Sequence, residues 1–346
     1  MPYIENLIDD VNKTHSNLGE LVALCQIITK AKKCLLIVSP SGCGKSTAMS
    51  FVGKNTVDNW MPTSLSISSL GNKVEKLTSF RSVVVIDDIA TIQTPYARTT
   101  TITTLSALCY THRVEPSMAG FDFAVEDFYG SALIGIQPII LRDVVLSTEW
   151  DATIKDKVLR YYHLYRPITP DMDLPVAQIE KGIDIDKINF KPDAELSIWK
   201  ELVKIGRSQW SIARTKEHLI DMLKAIASLE DRKEVAEDDY DLLYRLLKPM
   251  AIENIIISKD SLEGERILDN DLLALLVEYY TYNGQFSLAH IAQDFNLRLA
   301  QSYRIMASQN GNWQQISKSP TIYKPSKILT KLLEEFNLEI KGEAKK

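Results

Sequence analysis

Residues 39–47 read Ser-Pro-Ser-Gly-Cys-Gly-Lys-Ser-Thr. Two glycines let the chain turn tightly enough for successive backbone N–H groups to converge, and a helix beginning at the lysine adds its positive end. Such a loop is a cradle for phosphate. Ser41, Gly42, Cys43, Gly44, Lys45, Ser46 and Thr47 are its expected members. Lys45 is placed to reach the β- and γ-phosphates of ATP, and the Ser46 hydroxyl to hold Mg²⁺. Ser39 stands where the pattern G-x-x-x-x-G-K-[ST] has its first glycine.

Further polar positions belong to the same chemistry. The apolar run Val83–Ile86 ends in Asp87-Asp88. A carboxylate there can hold a water of the Mg²⁺ shell, the role expected of Asp87. Asp88, one methylene shorter than the glutamate usual at that step, is the candidate that polarises the attacking water. The alternative for both acids is to cap the next helix. Gln137, at the tip of the run Ser131–Ile136, is the candidate sensor of the γ-phosphate. The stretch Asp151–His163 is read as helical, and Arg160, within it, and Arg166, just beyond it, follow the sensor strand. Arg160 is the candidate finger onto a neighbouring subunit's nucleotide, with a solvated helix face as the alternative.

These residues need a scaffold. Short apolar runs at Cys34–Val38, Val83–Ile86 and Ser131–Ile136 predict buried parallel strands, which makes the first part α/β. Between them, Arg113–Val125 reads as two extended arms around a Pro/Gly tip. Four prolines, Pro167, Pro170, Pro175 and Pro192, mark a connector. Helices are expected at Asp193–Ile205, Ser211–Leu229 and Asp238–Leu247. Arg214 lies in the first turn of the second, where its charge opposes the helix dipole and asks for an external anion.

The stretches SPSGCGKST, VVVIDDIA, ALIGIQP, SIARTKEHLIDMLKAIA and EVAEDDYDLL together resemble the AAA+ ATPases that act on DNA, including minichromosome-maintenance helicases and origin-recognition initiators. The resemblance spans roughly Ala31 to Met250. It implies a P-loop core over residues 1–170 and a connector with a helical lid over 171–260. It also implies Gln137 at the sensor-1 position, Arg214 as sensor 2, and a homo-oligomeric ring or filament with ATP at subunit interfaces.

Residues 261–340 form a third unit. Helices Asp269–Tyr282, Leu288–Phe295 (capped by Ser287) and Leu297–Ser308 precede a hairpin of Trp313–Ile316 and Thr321–Tyr323. This order resembles a winged-helix domain, whose third helix enters the major groove of DNA. Six basic residues and one acid lie between Gln285 and Lys331, within a chain whose formal net charge is −5. Arg298, Gln301, Ser302 and Arg304 on the third helix, with Lys318 and Lys324 on the wing, are the expected DNA contacts. Tyr303 and Trp313 are expected as core and wing anchors.

Composition excludes other classes. Hydrophobic residues are 45% and charged residues 25% of 346, ordinary globular usage that excludes a disordered or fibrous chain. The polar, acidic start does not resemble a signal peptide, and no run is long and apolar enough for a membrane span. A cytoplasmic protein is expected. Four scattered cysteines suggest neither a zinc site nor a disulfide framework. The leading expectation is a DNA-directed ATPase: a replication initiator, helicase loader or helicase. The rival readings are a protein-remodelling ATPase whose winged helix docks a protein, and a transcription or transposition regulator.

Overall fold

The computed structural model describes residues 2–54, 59–62, 65, 70–115, 123–164, 183–253, 270–295, 297–309 and 311–335. Its centre is a four-stranded parallel sheet of β1 (Cys34–Val38), β2 (Val83–Ile86), β3 (Ser131–Ile136) and β4 (Val158–Tyr162), in the order β2-β3-β1-β4. Every residue of the four strands is buried. Strands covered on both faces read as unbroken apolar runs, which is why the first three announce themselves in the sequence. Trp60 adds a parallel bridge to Val84 outside β2.

The two-residue period of a strand divides the core. Leu35, Ile37, Val83, Val85, Leu133, Leu159 and Tyr161 face one apolar body. Leu36, Val38, Val84, Ile86, Ile134, Val158 and Tyr162 face the other. The first body holds α1 (Tyr3–Thr14), α2 (Gly19–Lys30) and α3 (Lys45–Lys54). The second holds α4 (Val74–Leu77), α5 (Pro95–Thr111) and α6 (Pro138–Val145).

Helices α7 (Ser197–Gly206), α8 (Ile212–Leu229) and α9 (Glu237–Leu247) fall within a few residues of their expected bounds. Their apolar faces join α1 and α2 in the first body. Glu230, just past α8, accepts bonds from the Tyr3 and Ile4 amides at 2.7 and 2.8 Å, filling first-turn donors of α1. Arg245 of α9 pairs with Glu5 at 2.8 Å.

Residues 158–162 correct an expectation. The stretch Asp151–His163 is a π-helical turn, Trp150–Ile154, followed by β4. A five-residue run buried on both faces has no periodicity that separates strand from helix. Valine and two tyrosines favour the strand. At this sheet edge the Gln209 side chain replaces a neighbouring strand. Its oxygen accepts from the Arg160 amide at 2.9 Å and its nitrogen donates to the Arg160 carbonyl at 2.5 Å.

The arms around 113–125 meet in an antiparallel bridge, Val114 to Val125, with bonds of 3.0 and 2.9 Å. Their tip, 116–122, lies outside the described residues, as does most of the connector.

The C-terminal unit runs α10 (Asn270–Thr281), β5 (Phe286–Ser287), α11 (Leu288–Asp294), α12 (Leu299–Ser308), β6 (Trp313–Lys318), β7 (Thr321–Pro325) and α13 (Lys327–Glu335). Its sheet is antiparallel in the order β5-β7-β6. Ser287 caps α11 as expected, its hydroxyl accepting from the His290 amide at 3.2 Å. No helix among the described residues is long and apolar enough to cross a membrane.

Candidate functional site

The carboxyl ends of β1, β2 and β3 carry the three polar groups singled out in the sequence. Their register places them level. Val38 pairs with Ile136 and Ile86 with Ile134, so the loop after β1, Asp88 and Gln137 emerge side by side. The Ser39 amide donates to the Ile136 carbonyl at 3.2 Å, continuing the ladder into the loop. Gly42 and Gly44 both have φ of +79°, a conformation that a β-carbon would strain.

Lys45 opens α3 and is only 7% exposed. Its ammonium donates to the carbonyls of Ser39 and Pro40 at 2.8 and 3.0 Å, holding the loop around itself. Burial lowers its pKa. Cys43, Asp88 and Asp87 pull the other way, which places both carboxylates within electrostatic reach of the ammonium. The first-turn amides of α3 have no acceptor inside the helix. Ser46 and Asp87 are exposed, and Cys43 is buried in the loop wall. This donor set fits a magnesium–triphosphate: amides and an ammonium for the phosphates, a hydroxyl and a carboxylate for the ion.

Asp88 does two things at once. One oxygen caps the turn Ile89–Thr91 by accepting from the Ala90 amide at 2.9 Å. The other accepts from the Gln137 side-chain nitrogen at 2.9 Å. The capping alternative therefore holds for Asp88, and Gln137 fixes the orientation of the same carboxylate.

Gly135 escaped the sequence reading. A β-carbon there would lie 2.0 Å from the Asp87 carbonyl oxygen and 2.9 Å from the Met49 methyl. The absent side chain on β3 lets the end of β2 settle against it. A lone glycine inside an apolar strand was the available signal, since it marks a close backbone approach.

Two arginines are not where the sequence reading put them. Arg160 is fully buried in the middle of β4. Its five N–H groups make five bonds: two to the Glu253 carboxylate at 2.9 and 2.8 Å, and one each to the Lys155, Val158 and Gln209 carbonyls. No donor is left for a neighbour's nucleotide, so Arg160 is a structural cation and not a finger.

Arg214 sits at the wrong edge of the sheet. Its guanidinium pairs with Glu217 at 2.7 Å and lies over the Tyr110 ring at 4.2 Å. One turn on, His218 bonds the Asp156 carbonyl at 3.1 Å, and Lys33 reaches Asp221 at 2.6 Å. Asp156 and Lys33 precede β4 and β1, whereas the phosphate loop follows β1. The strand's length separates Arg214 from that loop, and Glu217 with Tyr110 already supplies the partners its charge required.

In the C-terminal unit Arg298, Gln301, Arg304, Lys318 and Lys324 are exposed. The Gln301 oxygen also accepts from the Arg298 amide at 2.9 Å, closing the start of α12. Ser302 is fully buried on the inner face of α12, so it has no access to DNA. Trp313 anchors the core against Tyr279 and Phe286. Tyr303, expected as an anchor, is instead exposed.

A model of the family described as RNA helicase matches residues 35–128. That span runs from β1 through the phosphate loop and both strand-end carboxylates to the approach of β3. No curated protein matches the chain. The match implies nucleoside-triphosphate hydrolysis, and the four-stranded parallel sheet around it is consistent with a P-loop ATPase core.

Proposed function

We propose that the chain is an ATP-driven nucleic-acid motor or switch of the AAA+ type, with a helical subdomain and a C-terminal winged helix. The observation that carries the reading is the Asp88–Gln137 bond beside Lys45. A strand inserted between the two motif strands brings an amide to the carboxylate expected to orient water. In this reading ATP and Mg²⁺ occupy the loop, Lys45 and the loop amides hold the phosphates, and Ser46 and Asp87 hold the ion. Gln137 and Asp88 together aim the attacking water.

The nucleic-acid part rests on two supports. The helicase match covers the phosphate loop, and the order of α10 to β7 resembles that of a winged helix and carries exposed basic residues. DNA is the expected partner, and the family description adds RNA as the other arm of the test. The proposal extends to a role in starting replication, or in loading or driving a helicase, and to assembly into a homo-oligomeric ring or filament. Arg160 takes no part in such an assembly.

The test is ATP turnover by the full chain, alone and with single-stranded DNA, duplex DNA or single-stranded RNA. Stimulation by one strand type, with displacement of a forked substrate by the same enzyme, supports a motor. Turnover indifferent to every nucleic acid, with no binding at low salt, overturns the reading and leaves the protein-remodelling alternative.

A further inference from the structure

The helix expected to read DNA has a mixed surface. Leu299, Tyr303 and Ile316 are exposed by 53, 48 and 43% around Arg298 and Arg304. The other side of the wing is more cationic. Gln314 and Lys324 are direct partners across β6 and β7, so their side chains share one face. Tyr323 points to the opposite face, near Tyr303 of α12 and tilted against Phe286.

On the Lys324 side, β7, α13 and the turn before β5 enclose an open groove of about 460 Å³. Lys324, Lys327 and Lys331 line it, with the amides Asn283, Gln285 and Gln314. Glu334 is its single acid among the described residues. Lys324 and Lys327 form no ion pair among the described residues.

The order of charge along α13 is informative. Lys327 is its first residue, Lys331 follows one turn later, and Glu334 stands at its far end. A helix dipole favours the reverse arrangement. A cation at a positive helix end, beside a second cation across the groove, is relieved by a bound anion. Neutral amides around it suit the sugar and base edges of a strand without selecting a sequence.

Building on the proposed function, we infer that this groove between β7 and α13, not the exposed face of α12, is the main phosphate-binding surface of the C-terminal unit. Its occupant is the sugar–phosphate backbone of a single strand. Lys324 and Lys327 contact phosphates, and α12 contributes little salt-dependent affinity.

The experiment is fluorescence anisotropy of labelled 20-mers of deoxythymidylate and of uridylate with the full chain, over a series of salt concentrations. The K324Q/K327Q variant is expected to bind roughly ten-fold more weakly. Its slope of log K against log salt should fall by about 1.4, near 0.7 for each lost single-strand contact. R298Q/R304Q should keep the wild-type slope, and K324R/K327R should restore affinity because the charges return. The arm that binds more tightly identifies DNA or RNA. A wild-type slope in K324Q/K327Q, or failure of the arginine variant to restore binding, overturns the groove assignment alone. Absence of binding by the unaltered protein to either strand overturns the nucleic-acid reading itself.

Discussion

Gly135→Ala puts the site's architecture to a sharp test. The new β-carbon would start 2.0 Å from the Asp87 carbonyl oxygen, where ordinary contact begins near 3.4 Å. The backbone carrying Asp87 must then retreat by about 1.4 Å, or β3 must shift by as much, because the nearest obstacle is main chain and not a flexible side-chain tip. A displacement of about 1 Å at a catalytic group costs on the order of 100-fold in rate. The main-chain obstacle is Asp87, at the end of β2, whereas Lys45 and the loop amides follow β1 and touch the new methyl only through the movable Met49 tip, so metal-free nucleotide binding should persist. Steady-state hydrolysis read beside binding of ATP in EDTA and in magnesium separates these effects. The prediction is a fall in kcat of about two orders of magnitude and loss of the magnesium increment, with EDTA-phase affinity kept. A folded Gly135→Ala protein with wild-type turnover would refute the placement of Asp87 at the ion.

Three further outcomes follow from the geometry. Glu253→Gln leaves the buried Arg160 charge without its carboxylate, and urea unfolding should show a loss of about 3–5 kcal/mol, with part recovered in an Arg160→Met/Glu253→Met double variant. Arg214→Ala should leave ATP turnover near wild type, since the residue lies at the opposite sheet edge; a collapse in kcat with normal folding would return it to the site. His218 is buried, and burial followed by the Lys33 charge pushes its pKa down to about 4 from 6.5. The unfolded chain therefore binds the proton first. Stability should be full above pH 6.5 and decline as pH falls toward 4, by about 3 kcal/mol in all. Melting curves of His218→Gln over this range should show a shallower decline.

The sequence carried the three central strands to the residue, because burial on both faces makes a strand a continuous apolar run. It also picked out Asp88 and Gln137 separately, since each sits at the end of such a run, but their bond to each other is seen only in the structure. The failures share a cause: they depend on contacts between residues far apart in the chain. Arg160 looks like a surface arginine until Glu253, 93 positions away, is seen to hold it. Arg214 looked anion-seeking because nothing local shows that α8 runs to the amino-terminal edge of the sheet. Ser302 differs from Gln301 only by one step of helix phase, which the packing of α12 decides. Gly135 was visible as a strand glycine but had no assigned reason until the Asp87 carbonyl was found against it.

In the proposed function the loop after β1 captures a nucleotide's phosphates through main-chain amides and the Lys45 ammonium. Equilibrium titration of a fluorescent ATP analogue into the unaltered chain and into Lys45→Ala, each with magnesium, addresses it most directly. Saturable binding is expected of the first and a loss of at least about 100-fold in the second, the equivalent of nearly 3 kcal/mol for one desolvated charge pair. Equal affinity in the two proteins would contradict it.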